Sequence, residues 1–390
     1  MQGSFWRWGE DMKSKIAVFV IFLIILLSPV STVASAEEAE SLPVGLSEIE
    51  GDIPSEVRDK LPDGLFSENG EEASDALTDF LSAESTLSLV EEFFREGAFS
   101  ALVLFAKLCG ILLLSAVFNA LCRSVASETL SGAMRFCSSA VIFATVINMQ
   151  IGSLRAVELY FERITALMTA MIPVTGAIWA MGGNVSTATS GTATMYVLLS
   201  VCEGVCSSSV LPFCSVLTAL SLCNALWSDT GLRGFISALR KIYTFVLGMI
   251  MTALMASLTT QNALTSAADS VAARTARLIS TNVIPVVGGS VGEALRTVAA
   301  SVGYLRSLVG IGGVAIIAVM LLPTLLSLIS SRLAFLLASG VAEMLGCDTE
   351  GKLISELGSI YAVMIAVVAM SAVMFIFALT VFSRTAVALG

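Results

Sequence analysis

From Phe99 to Phe382 the chain alternates long apolar runs with short polar breaks. The runs are Phe99–Leu121, Phe136–Ile151, Ile164–Gly183, Met195–Trp227, Ile242–Leu258, Leu308–Ile329 and Ser359–Phe382, with a shorter one at Leu333–Leu345. A helix needs about 20 apolar residues to cross a bilayer. The pattern therefore predicts an all-α, polytopic membrane protein with about seven transmembrane helices. Two places are ambiguous. The run Met195–Trp227 is too long for a simple span and contains Pro212, so it reads as one tilted helix or as a hairpin of two short pieces. Leu333–Leu345 is short for a crossing. Composition agrees: 56% of residues are hydrophobic and 13% charged, against about 25% charged in a soluble domain.

Charge divides the chain. Residues 37–96 hold 18 acids and 3 bases, a net of −15, whereas residues 97–390 are slightly basic. Lys13 and Lys15 precede the apolar run Ile16–Leu27, and Ala34-Ser35-Ala36 follows, the order of a secretory signal peptide. Cleavage is expected after Ala36, with an uncleaved anchor as the alternative. Residues 1–11 carry Glu10 and Asp11 and fit such a signal poorly, which points to Met12 as the start. The expected organisation is a signal peptide at 1–36 and an acidic exported segment at 37–96. A transmembrane bundle at 97–258, an amphipathic Ser/Thr/Ala-rich segment at 259–307 and C-terminal spans at 308–390 follow.

Within the exported segment, Pro43, Pro54, Pro62 and the acids read as a flexible or weakly structured stretch up to residue 70. From Ala73 onward Leu77, Phe80, Leu81, Leu87, Val90 and Phe94 recur at helical spacing. Export of this block sends the first span inward and places Arg123 and Arg135 on the cytoplasmic side, as positive charge prefers. Arg233, Arg240 and Lys241 join them there only if Met195–Trp227 crosses twice.

The segment Thr259–Ser307 holds Val291, Leu295, Val298, Val302 and Leu305 at 4-3-4-3 spacing, one apolar stripe on a helix. Glu293, Arg296 and Ser301 fall on the other face. Asn282-Val283-Ile284-Pro285-Val286-Val287-Gly288-Gly289 would join two helical halves into an amphipathic hairpin, at the membrane surface or lining a wet cavity.

The chemistry-bearing residues exclude more than they indicate. The chain has no His, which removes Ser-His and Cys-His catalysis and His-ligated metals. It has no Walker-type phosphate loop. Gly288-Gly289-Ser290-Val291-Gly292 matches G-x-S-x-G but lacks a base and a strand–turn–helix setting. Gly288 and Gly292 read instead as a G-x-x-x-G close-packing pair. Lys107 and Glu203 lie inside apolar runs, where ionisable groups face protein or water, and are candidate pore residues. Snorkelling is the plain alternative for Lys107. Asn282, Pro285, Gly289 and Arg296 complete the candidate packing or pore set. The eight cysteines form no C-x-x-C and read as buried small hydrophobes. Pro173, Pro212 and Pro323 read as packing kinks. No catalytic residue, metal, cofactor or nucleic-acid partner is expected.

The stretch TARLISTNVIPVVGGSVGEALRT, Thr275–Thr297, resembles the most characteristic segment of the stage III sporulation protein AE family. The run Val309–Ala315, the signal peptide, the acidic block and the order of spans are also similar to that family. The resemblance implies an integral membrane component of the channel complex between mother cell and forespore, in the mother-cell membrane around the forespore. Its expected partners are other membrane proteins of that complex, a forespore-side protein and the lipid bilayer, with homo-oligomerisation open. A self-sufficient secondary transporter is the competing reading, weakened by the lack of an internal repeat.

Overall fold

The computed structural model describes residues 49–51, 53–67, 70–124, 128–226, 232–283 and 288–384; within them the side chains of 276–298 and some others are not described. The signal-peptide reading lies outside these residues. The described elements are all helical: α1 (Ser55–Arg58), a 3-10 turn (Asp63–Phe66), α2 (Gly70–Phe80), α3 (Ala83–Ser124), α4 (Glu128–Met181), α5 (Val185–Cys202), a π turn (Glu203–Ser207), α6 (Ser208–Leu226), α7 (Leu232–Val283), α8 (Gly288–Met344) and α9 (Asp348–Arg384). Among them are six helical stretches long and apolar enough to cross a membrane: Glu91–Leu121, Gln150–Met181, Val185–Asn224, Leu232–Ala272, Ala299–Met344 and Asp348–Ser383. The chain is an all-α polytopic membrane protein.

Two runs expected as separate spans are joined, and the two ambiguous places resolve. Phe136–Ile151 and Ile164–Gly183 lie on one unbroken helix, α4. The residues between them are amphipathic rather than loop-forming. Leu154, Val157, Tyr160 and Phe161 are buried while Arg155, Glu158 and Glu162 stay exposed, so the helix continues through the charges. Leu333–Leu345 likewise continues α8 from Leu308–Ile329 and is not a second crossing. Ser330 and Arg332 interrupt the hydropathy there but not the backbone. Met195–Trp227 divides between α5 and α6, which are linked through the π turn and contain no reversal.

The α8–α9 pair forms the centre of the bundle. Of their most apolar windows 72% and 61% of residues are buried, against 17% for α7. The pair is antiparallel and closes through Leu345-Gly346-Cys347. Gly346 takes φ 71°, and the Cys347 N–H donates to the Ala342 carbonyl at 2.9 Å. α4 turns into α5 in the same way, with Gly183 at φ 77° and the Asn184 N–H donating to the Trp179 carbonyl at 3.0 Å. Left-handed glycines satisfy the last carbonyls of a helix without a Cβ penalty, which allows three-residue connections.

Glycine also explains how closely the central helices approach. A Cβ on Gly310 would stand 2.6 Å from the Ser383 Cβ, and one on Gly313 would stand 2.7 Å from the Met171 Cε. The Gly-rich run of the sequence is therefore where α8 meets α9 and α4. α3 packs parallel to α8: Gly97 lies beside Ser330 and Leu326, and Ser115 donates to Glu350 beyond the α8–α9 turn at 2.8 Å. Outward-facing Phe99, Leu102, Leu113, Leu114, Val117 and Phe118 on α3, and Phe235, Ile242, Phe245 and Met249 on α7, remain exposed. Apolar surface of that extent is stable only against lipid or protein.

The segment before α3 is more ordered than its prolines and acids predict. Ile49, Ile53, Val57, Leu61 and Leu65 recur every fourth residue, and all are buried. Pro54 precedes α1 and Pro62 precedes the 3-10 turn, so each proline opens a short helix rather than breaking one. Glu56 accepts from Arg163 of α4 at 2.6 Å, and Lys60 pairs with Glu92 of α3 at 3.1 Å while lying over the Phe93 ring. Exposed pairs of this kind contribute roughly 0.2–1 kcal/mol each, so the buried stripe carries the docking.

Candidate functional site

Polar contacts inside the apolar bundle join several helices, Gln150 of α4 to Thr218 of α6 and Tyr160 of α4 to Ser371 of α9 among them, and one set ties α7 to α5 and α6. The α5 sequence repeats hydroxyls at helical spacing, Thr187, Ser190 and Thr194, with Gly191 among them. α7 answers with Gln261, Asn262, Thr265 and Asp269, which fall on one helical face. The two stripes run antiparallel and meet. Asp269, 4% exposed, accepts from the backbone N–H of Ser186 at 3.0 Å, the N–H of Thr187 at 2.9 Å and the Thr187 hydroxyl at 2.6 Å. The carboxylate thus caps the first turn of α5 from another helix, using both the free amides and the positive end of the helix dipole. Two turns away, the Thr194 hydroxyl donates to the Gln261 side-chain carbonyl.

Between these ties is a pocket lined by Trp179, Ser190, Gly191, Thr194, Asn262, Thr265 and neighbouring apolar groups from α9. Its empty volume is about 300 Å³, part of it open to the outside. Trp179 comes from the end of α4 and packs edge-to-face on Phe382 of α9, with ring centroids 5.3 Å apart. Gly191 makes space for the indole, since a Cβ there would stand 2.5 Å from the Trp179 Cζ3.

A third tie lies beyond the π turn. That turn leaves a carbonyl without its usual helical partner, and the Ser209 hydroxyl donates to Val205 O. Ser209 also shares a 2.7 Å hydrogen bond with Tyr243 of α7, whose ring stacks on Phe213 at 3.8 Å. α7 is thus fastened to α5 and α6 at Asp269, Gln261 and Tyr243.

The residues singled out from sequence fall elsewhere. Lys107 is exposed on α3. Glu203 is the first residue of the π turn, and its side chain lies outside the described residues. Asn282 is the next-to-last residue of α7, and Gly288, Gly289, Gly292 and Arg296 belong to the first turns of α8, without described side-chain surroundings. Pro285 lies outside the described residues. Of the apolar stripe, Val302 and Leu305 are buried and Ser301 is half-buried; Val291, Leu295 and Val298 are not described. Cys202, Cys206, Cys214 and Cys347 are buried as expected, whereas Cys109 and Cys223 are half-buried and Cys137 is exposed on the outer face of α4. Among the described residues no group of three His, Cys, Asp or Glu side chains is placed to hold a metal.

The sequence reading missed Asp269. Its signal was isolation: it is the only acid between Asp229 and Glu293. A lone carboxylate so far from other acids, on a long apolar helix, needs a local partner.

Comparison with known proteins follows this architecture. The family model described as stage III sporulation protein AE matches residues 73–386, from the second turn of α2 beyond the end of α9. A protein of Bacillus subtilis (strain 168) named stage III sporulation protein AE is 22% identical over 279 residues, covering 70% of each chain. No solved structure matches. The family is one of sporulation proteins, not a known enzyme family. With the match spanning all six membrane-length stretches among the described residues, the chain belongs to the stage III sporulation protein AE family.

Proposed function

We propose that the chain is an integral membrane subunit of a channel or secretion-like complex linking mother cell and forespore, needed for forespore development and placed in the mother-cell membrane around the forespore. The observation that carries this reading is the family match over the whole bundle. The polar groups inside that bundle fit a membrane scaffold: hydroxyls, amides and the carboxylates of Asp269 and Glu350 tie helices together through hydrogen bonds. The role is non-enzymatic. Partners are other membrane proteins of the complex and a forespore-side protein, and the exposed apolar faces of α3 and α7 give them or lipid a surface.

Helix connectivity supports one orientation. With the acidic block exported, α3 runs inward, α4 outward and α5–α6 inward. Arg233, Arg240 and Lys241 then fall on the cytoplasmic side, and the double crossing that the sequence alone required is no longer needed.

Affinity purification of the tagged chain from sporulating cells in mild detergent tests the reading. A large assembly of other membrane proteins is expected, together with a block in forespore development when the chain is removed. Purification as a lone protein that takes up solute in liposomes would replace this reading with a self-sufficient transporter.

A further inference from the structure

We propose that the contact between α5 and α7 is a hydrated seam, in which water, or a small uncharged hydrogen-bonding solute, occupies the pocket beside Trp179. Trp179 is 2% exposed, and its Nε1 has no hydrogen-bond partner among the described residues. An indole N–H is a donor only. Around the same pocket the hydroxyls of Ser190 and Thr265 direct their hydrogens to the backbone carbonyls of Ser186 and Gln261 at 2.6 and 3.0 Å. Their remaining lone pairs are acceptors. Trp179, Ser190 and Thr265 line one pocket, and its enclosed part accommodates about one water. On the same stretch of α7 the Ser266 hydroxyl is also buried without a partner.

The chemistry of the lining sets the class of guest. No charged side chain lines the pocket, and Asp269, the nearest carboxylate along the seam, is engaged by three donors. Ions are therefore disfavoured and neutral polar groups favoured. Further along α7, Leu247 and Met251 are buried and apolar, so hydration belongs to the seam and not to the whole helix.

The test uses the full chain in native membranes, in a background whose native cysteines are replaced, and it does not depend on which complex the chain joins. Single cysteines are placed at Thr194, Thr265, Leu247 and Met251, and a small water-soluble thiol reagent is applied. Thr194→Cys and Thr265→Cys are expected to react about 10-fold or more faster than the two apolar controls, because only a hydrated thiol forms thiolate readily. Equal protection at all four positions would overturn the seam. A second variant, Trp179→Phe, removes the donor and keeps an aromatic ring. It is expected to leave the melting temperature unchanged or raised and to slow labelling of Thr265→Cys. A clear fall in melting temperature with unchanged labelling would show that Nε1 has a protein acceptor, and the proposal would fail.

Discussion

At the residue scale, Asp269 concentrates more interaction than any other described carboxylate in the bundle. Asp269→Ala leaves the buried amide and hydroxyl of Thr187 without their acceptor and should cost about 1–3 kcal/mol. This would be read as a lower melting temperature in detergent. Asp269→Asn should cost less, since the amide oxygen still accepts. Thr187→Val combined with Asp269→Ala should be less destabilising than the two single effects added together; strict additivity would show that the pair does not interact. These effects follow from a residue legible only as a lone acid. The hydroxyl stripe of α5 was equally visible in sequence, yet nothing local identified its partner, because a contact between residues more than 60 positions apart is set by packing.

At the element scale, the apolar runs were legible but their joints were not. Hydropathy falls at Arg155–Arg163 and at Ser330–Arg332 just as it falls at a loop. A helix tolerates such residues when they face outward or meet a small neighbour, as Ser330 meets Gly97. The true breaks are marked by glycine with positive φ at Gly183 and Gly346. Glycine inside helices separates two further cases. Gly313→Leu should disrupt the α8–α9–α4 contact and lower folded yield, with overpacking costing about 1–3 kcal/mol or more. Gly110→Ala, where a Cβ meets nothing within 4 Å, should be neutral or stabilising by up to about 1 kcal/mol. Comparable thermal shifts for the two variants would contradict the close approach at Gly313. The stripe from Ile49 to Leu65 was present in the sequence at every fourth position, but two prolines and a dense acidic charge masked it.

At the scale of the whole molecule, the proposed export of the N-terminal block, taken with the six membrane-length stretches among the described residues, predicts a cytoplasmic α6–α7 connection and an external α7–α8 connection. A phosphatase reporter fused within 284–287 should score external and one within 227–231 cytoplasmic; the reverse pattern would invert the orientation. The class of fold was readable from apolar runs because lipid imposes a length on every crossing. The number of crossings was not, because length alone does not tell two spans from one long helix. That long helix has a mechanical consequence. The 54 residues of α4 extend about 80 Å, well beyond the roughly 30 Å hydrocarbon layer, and Pro173 lies near its far end. Its first 45 residues therefore form a rod without a proline joint. A tilt of about 10° over the roughly 68 Å of that rod would carry one end sideways by about 12 Å relative to the other.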